Sequence, residues 1–431
     1  MLRRLAAWID GIDRAINIED LRRIARRRLP RILFDYIDGG EGDESGLRRN
    51  LEAFHAYSLR PRYLVDVSER SLETRLWDRS YSAPFGVGPV GLTGLFHPNG
   101  ESLLAQAAVG AGIPYVLSGA SIASIEEVAR VARTNTWFQL YPARDSKVTL
   151  DMVARAEQAG MEALVVTVDL PVPAKRERDR RNRFDFDAKM SLSRLLDGLA
   201  HPRWAWWYLA HGGIPAFGTW RRYARPRAPA REVAEYVAAQ SHAPQLWRDL
   251  DAYRRAWPRK LVLKGIQHVE DAARAVSAGV DGLIVSNHGG RQLGRLPAAI
   301  EVLPEIRDAV GGHLAVMVDG GVRRGADVAI ALCLGADFVF LGRAPIYGLA
   351  AGGLAGATRA IEILREELDL TLGQIGVNRI GDLRSNVLME QRSRTGGPLL
   401  RGMPMTTDGD ACGHEERHAR RERGGHAEPG D

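Results

Sequence analysis

Eight short apolar runs, each closed by a polar residue or a glycine, constrain this chain more than any other feature of its sequence. They lie at 85–88, 115–118, 137–141, 163–169, 261–265, 283–286, 315–320 and 338–342. A short apolar run bounded by Gly or Pro reads as a strand buried on both faces, and strands alternating with helices read as parallel βαβ units. The helices between them show at 124–129 and 326–331, where a small polar or charged start precedes apolar residues at helical spacing. Eight units in succession predict the α/β class and a closed (β/α)8 TIM barrel. An open doubly wound sheet fits less well, because no early glycine-rich dinucleotide fingerprint is present.

The runs end on Pro89, Ser118, Gln139 with Tyr141, Thr167 with Asp169, Lys264, His288 with Arg291, Asp319, and Gly342-Arg343. That end of a barrel carries its active site. Polar or glycine residues at eight strand ends are hard to attribute to packing, so the chain reads as an enzyme. The densest motif is Ser286-Asn287-His288-Gly289-Gly290-Arg291-Gln292-Leu293. His can take a proton near neutral pH, Arg can grip a carboxylate through two parallel bonds, and the glycines admit a flat ligand against the backbone. A substrate with an acidic group and a removable proton is implied.

Asp319-Gly320-Gly321-Val322-Arg323-Arg324-Gly325 and Leu341-Gly342-Arg343 follow the last two runs and read as a phosphate cradle. Lys264 would place a positive charge across the barrel mouth, although alone it could equally form a salt bridge. The charged run 175–183 reads mostly as a solvated face, including Arg178, Arg180 and Arg181, with Arg176 excepted for its closeness to a strand end.

The net charge of +6 suits an anionic ligand or an acidic membrane surface and on its own leaves nucleic acid open. Two cysteines exclude a disulfide scaffold or a Cys-based zinc cluster, and no metal is expected. Residues 1–10 lack the apolar run of a signal peptide, and no stretch is long and apolar enough to span a bilayer. The barrel is expected to occupy 1–390, with a helical N-terminal region over 1–80 and an insertion at about 186–235 between strands 4 and 5. Residues 391–431 have the composition of a disordered tail. Within the insertion, Trp204, Trp206, Trp207 and Trp220 lie among Arg194, Arg203, Arg221, Arg222, Arg225 and Arg227. Such a mixture suits a segment in the membrane interface, and packing on the barrel or on a second subunit is an equal alternative.

Taken together, 286–293, 319–325, Gln139-Leu140-Tyr141, Asp169 with Arg176, and Leu59-Arg60-Pro61-Arg62 resemble the FMN-dependent 2-hydroxy-acid dehydrogenases and oxidases, over about residues 17–390. The resemblance implies FMN as cofactor and oxidation of an (S)-2-hydroxy acid to the 2-oxo acid. It implies His288 as the base, Asp169 as the carboxylate that stabilises its imidazolium, and Arg176 and Arg291 as the clamp on the substrate carboxylate. Tyr141 and Tyr36 would hydrogen-bond the substrate oxygens. Pro89, Val90 and Gly91, with Ser118, Gln139, Thr167, Lys264 and Ser286, would hold the flavin ring and ribityl chain. Asp319, Gly320, Gly321, Arg323, Gly342 and Arg343 would complete the ribityl and phosphate site.

Ala120, where short-chain oxidases commonly carry Trp, implies a widened pocket for a bulky or aromatic side chain. Gly91, His201-Pro202-Arg203-Trp204 and the Trp-rich insertion resemble the mandelate dehydrogenase branch, with L-lactate dehydrogenases and glycolate oxidases as its neighbours. That branch implies a peripheral protein on the cytoplasmic side of an acidic membrane, a quinone or other carrier as electron acceptor, a homo-oligomer of tetrameric type, and no nucleic acid partner. A short-chain oxidase using oxygen and a non-catalytic flavin-binding membrane protein are the competing readings.

Overall fold

The computed structural model describes residues 11–184, 192–211, 213, 215–243 and 245–390. The sequence-based tail at 391–431 and the start of the insertion at 186–191 lie outside them.

Eight parallel strands close into the expected barrel: β1 (Phe85–Val87), β2 (Tyr115–Ser118), β3 (Thr136–Leu140), β4 (Ala163–Thr167), β5 (Lys260–Ile266), β6 (Gly282–Val285), β7 (Ala315–Asp319) and β8 (Phe338–Leu341). Strand β8 meets β1 in parallel, with Val339 opposite Phe85, which completes the ring. The strands are mostly apolar because both faces are covered, with polar residues such as Gln139, Thr167, Lys264 and Asp319 toward their C-terminal ends. Alternate residues point into the lumen, where Val116, Trp137, Val165, Val262, Ile284, Met317, Phe338 and Phe340 form an inner cluster. Leu76 and Tyr81 join that cluster from a hairpin of Thr74–Leu76 with Arg79–Tyr81. Trp77 in its turn donates to Asp281 O, just before β6, so the hairpin plugs the N-terminal end of the barrel. The opposite end is left for the site.

Of the two helices read directly from sequence, Ile125–Val131 begins in a reciprocal capping box of Ser124 with Glu127, and the other spans Gly325–Cys333. Three helices precede the barrel: α1 (Ile18–Arg28), α2 (Arg31–Asp38) and α3 (Ser45–Glu52). The N-terminal region expected to be helical to residue 80 is helical only as far as Ala56. Beyond that point Tyr57–Leu59 pairs with Leu388–Glu390, and the hairpin at 74–81 buries Leu76 and Tyr81.

The segment between β4 and β5 carries α4 (Glu177–Arg181), α5 (Leu192–Ala200), α6 (Pro202–Ala210) and α7 (Ala230–Gln240). On α6, Trp204 and Tyr208 stand one turn apart and face inward. Trp204 Nε1 donates to Leu95 O at 3.0 Å and the Tyr208 hydroxyl to Gly94 O. Trp206 and Leu209, on the other side, are 69% and 75% exposed. The final long helix, α8 (Arg343–Ile375), bends at Gly352 and Gly353 and packs on α1. Among the described residues no helix is long and apolar enough to cross a membrane.

Candidate active site

A cavity of about 540 Å³ opens at the C-terminal ends of the strands. Its walls come from residues 88–91, Tyr141, Thr167, Lys264, His288, Gly289, Arg291, Gln292, 319–323, Gly342 and Arg343, from Tyr36 on α2, from Arg176 and Arg180 at α4, and from Trp220, Val237, His242 and Gln245 between α4 and β5. Of the residues singled out in the sequence, Ser118, Gln139, Asp169 and Ser286 stand behind this wall and support it.

His288 sits at the top of a turn in which it, Gly289 and Gly290 have φ of 56°, 64° and 73°. A side chain in the left-handed region is strained, and such strain persists only where the surroundings hold it. Here Ser286 Oγ accepts from His288 N at 3.0 Å, and Asn287 Oδ1 accepts from Gly290 N at 3.2 Å. His288 Nδ1 lies 3.1 Å from both carboxylate oxygens of Asp169. Room for that carboxylate is made by Gly265, the irregular position of β5, where a Cβ would come within 2.6 Å of Asp169 Cγ. Nδ1 facing a carboxylate carries the proton, which leaves the Nε2 lone pair as the basic position.

Burial is the largest influence on His288 and pushes its pKa below the ordinary value, with Asp169 opposing. Burial also works against ionisation of Asp169, but His288 and Lys264 outweigh it and hold the carboxyl below its usual range. The pair therefore rests as neutral imidazole beside carboxylate. Burial and, less strongly, Asp169 raise the Tyr141 hydroxyl well above its ordinary value, so it remains a donor.

Lys264 resolves to an ion pair as well as a wall residue. Its Nζ is 2.9 Å from Asp319 Oδ2 and 2.9 Å from Ser286 Oγ, and Ser286 Oγ donates to Asp319 Oδ1 at 2.5 Å. Burial works against the Lys264 charge, and Asp319 and Asp169 more than offset it.

The arginines are held differently. Arg291 Nη1 donates to Tyr36 O at 2.6 Å and Gly39 O at 2.9 Å, with its guanidinium 4.8 Å from the Tyr36 ring centroid. Arg176 Nε donates to Arg291 O at 3.2 Å. Arg343 donates to the carbonyls of Ile37, Gly39 and Gly289, and Arg323 to Val322 O. Among the described residues none of the four pairs with a carboxylate. Burial first, then repulsion from Arg176, pushes Arg291 down to about 9. Partly buried cations gathered in one cavity without carboxylate partners favour an anionic ligand there.

Arg178 and Arg180 correct the reading of 175–183 as a solvated face. Arg178 donates to Asp38 at 3.1 Å and Glu44 at 2.5 Å and ties α4 to the N-terminal helices, while Arg180 lines the cavity. Arg181 does remain at the surface, paired with Glu177. The helix lies across α2, so neighbouring arginines meet different surroundings. Sequence reasoning also missed Phe184, which stacks on Tyr36 at 4.5 Å, and the cavity-lining residues of the insertion.

Two buried polar atoms, Gln139 Nε2 behind the wall and Thr167 Oγ1 in it, have no hydrogen-bond partner among the described residues. At the far side Gly321, with φ of 82°, lies so close to Asn50 O that a Cβ would come within 2.0 Å of it. The pattern calls for a ligand with a flat polar ring at one end and an anion at the other.

The sequence model for FMN-dependent dehydrogenase matches residues 25–390. The chain belongs to the FMN-dependent dehydrogenase family. It is 40% identical over 379 residues to an L-lactate dehydrogenase of Pseudomonas aeruginosa (strain UCBPP-PA14), covering 86% of this chain and 97% of that one. It is likewise 40% identical over 384 residues to an (S)-mandelate dehydrogenase of Pseudomonas putida, covering 89% and 96%. A crystal structure of the monotopic membrane protein (S)-mandelate dehydrogenase superposes with a TM-score of 0.84 at 40% identity, covering 88% of this chain and 100% of that one. FMN is the cofactor of this dehydrogenase, and the orphaned amide and hydroxyl, Lys264 and the unpaired Arg323 and Arg343 suit its ring and phosphate.

Proposed function

We propose that this FMN-dependent dehydrogenase oxidises an (S)-2-hydroxy acid with a bulky or aromatic side chain, of which mandelate is the type, to the 2-oxo acid. The observation that carries the reading is the His288–Asp169 pair in the same cavity as two arginines without carboxylate partners, Arg176 and Arg291. The arginines clamp the substrate carboxylate with parallel charge-assisted bonds. Tyr141 and Tyr36 donate to the substrate oxygens and fix its orientation. Nε2 of His288 takes a proton from the substrate, and Asp169, accepting from Nδ1–H, stabilises the imidazolium. FMN, when bound, supplies the two-electron acceptor for this oxidation.

The residues proposed to hold the ring and ribityl chain are Pro89, Val90, Gly91, Ser118, Gln139, Thr167, Lys264 and Ser286. Asp319, Gly320, Gly321, Arg323, Gly342 and Arg343 are proposed to complete the ribityl and phosphate site. Tyr36 and Phe184 wall the cavity on one side, and Trp220, Val237 and His242 wall it on the other.

The bulky side chain is supported by Ala120, which lines the cavity with only a methyl group. Relatives named for lactate and for mandelate are equally identical, which favours a second reading in which the substrate is L-lactate. Membrane association is supported by the outward face of α6, with Trp206 and Leu209, and of α5, with Leu196 and Leu199. In this reading the protein sits peripherally on the cytoplasmic face of an acidic membrane and delivers electrons to a quinone or another carrier. Anaerobic mixing of the flavoprotein with (S)-mandelate, (S)-lactate and glycolate, followed by admission of air, tests it. Fast bleaching by mandelate and slow reoxidation are expected. Preference for the short acids with rapid reoxidation would replace this reading with that of a short-chain oxidase.

A further inference from the structure

Trp220 alone among Trp204, Trp206, Trp207 and Trp220 is both buried and in the wall of the cavity. It is 2% exposed, and its Nε1 donates to Gly119 O at 2.7 Å. The rings of Tyr223 and Tyr236 meet it edge-on, with centroids at 6.4 and 6.5 Å. The chain before it is fastened to the loop that follows β2. Gly218 N donates to Ile122 O at 3.0 Å, and a Cβ on Gly218 would come within 2.3 Å of that oxygen. Thr219 Oγ1 lies 2.9 Å from Ser121 Oγ, and the buried Arg155 donates to Thr219 O at 2.9 Å. Arg155 is in turn fixed by Glu126 at 2.7 and 3.0 Å. The indole is therefore rigid, and it lines the cavity together with Ala120, the neighbour of the carbonyl it binds.

We propose that Trp220 is the specificity-determining wall of the substrate pocket, replacing from the insertion the bulk that Ala120 lacks and favouring hydroxy acids with a planar aryl substituent over those with a short alkyl one. This rests on the reading of the cavity as a hydroxy-acid site. A ring held this rigidly and left only 2% exposed bounds the pocket as a fixed wall at no entropic cost, and an aryl substituent fills a pocket so bounded better than a methyl group does.

The test compares wild type with Trp220→Leu and Trp220→Ala, each purified with FMN, by anaerobic flavin reduction with (S)-mandelate and (S)-lactate. Trp220→Leu is included because it keeps much of the volume without the ring. The expected result is a mandelate-to-lactate ratio of kcat/KM lowered about tenfold in Trp220→Leu, the lower range for reshaping a hydrophobic pocket, with the lactate rate held within about threefold. A ratio unchanged in Trp220→Leu, or both acids slowed in proportion, overturns the assignment and leaves a structural residue. A wild-type flavin bleached by no hydroxy acid overturns the underlying reading instead, and the assignment with it.

Discussion

Asn50 and Asn287 exchange two side-chain hydrogen bonds, each 2.8 Å long, beneath the turn that carries His288. Asn287 also donates to Pro297 O at 3.0 Å, and Asn50 O lies against Gly321 of the proposed phosphate cradle. One buried pair thus braces both the proposed base and the far end of the cofactor site. Asn287→Ala leaves the Asn50 amide without its partner and is expected to cost about 2 kcal/mol of stability, measured by urea unfolding. The double variant with Asn50→Ala should cost less than the sum of the single variants. Strict additivity would show that the pair is not coupled.

The pH dependence follows from His288. Its pKa is lowered from the ordinary 6.5, chiefly by burial, so the free base dominates at neutral pH. Protonated His288 cannot accept a proton. The rate constant kcat/KM should therefore fall as pH drops through a value below 6.5, be level above it, and fall again as Arg291, pushed down to about 9, loses its charge. Asp169→Asn removes the influence that raises His288, so it should shift this limb further toward acid while slowing flavin reduction by at least about a hundredfold. An acid limb above 6.5 in the wild type would contradict the assignment.

Arg176 and Arg291 predict how the carboxylate is recognised. Replacing either by Lys keeps the charge and loses the fork geometry, so KM for the acid should rise by about tenfold to a hundredfold. The methyl ester of the same acid should gain nothing from the arginines and be nearly insensitive to these substitutions. Equal losses for acid and ester would remove the clamp from the account.

The outward face of α6 bears on the membrane. Changing Trp206 and Leu209 together to Ser should weaken binding to vesicles containing acidic lipid by more than about tenfold, since each buried apolar side chain contributes roughly 1.5–3 kcal/mol. Dye-coupled activity should be unchanged because neither residue reaches the cavity. Undiminished vesicle binding would place the membrane contact elsewhere.

The barrel is legible in the sequence because strands covered on both faces must be mostly apolar, and the polar residues toward their C-terminal ends mark the open face. His288, Arg176 and Lys264 are legible for the same reason, being at or near strand ends. Gly265 is not, because its need arises from the Asp169 carboxylate, which the fold brings against it from another strand. Trp206 and Trp220 have the same side chain in the same insertion, but Trp206 lies on the face of α6 opposite Trp204 and Tyr208, while the docking of 218–220 onto 119–123 buries Trp220 in the cavity wall. Arg178 and Arg181 are likewise separated only by what α4 lies upon. Asn50 and Asn287 meet across 237 residues, where spacing holds no signal.

The most direct test of the account is rapid anaerobic mixing of wild type and His288→Ala, both loaded with FMN, with the preferred (S)-2-hydroxy acid, using photochemical reduction as the control for an intact flavin. The account predicts that both proteins show the same bound-flavin spectrum and photoreduce alike, while substrate bleaches only the wild type at speed and the variant at least about a hundredfold more slowly. Rapid bleaching of His288→Ala by the substrate would contradict it.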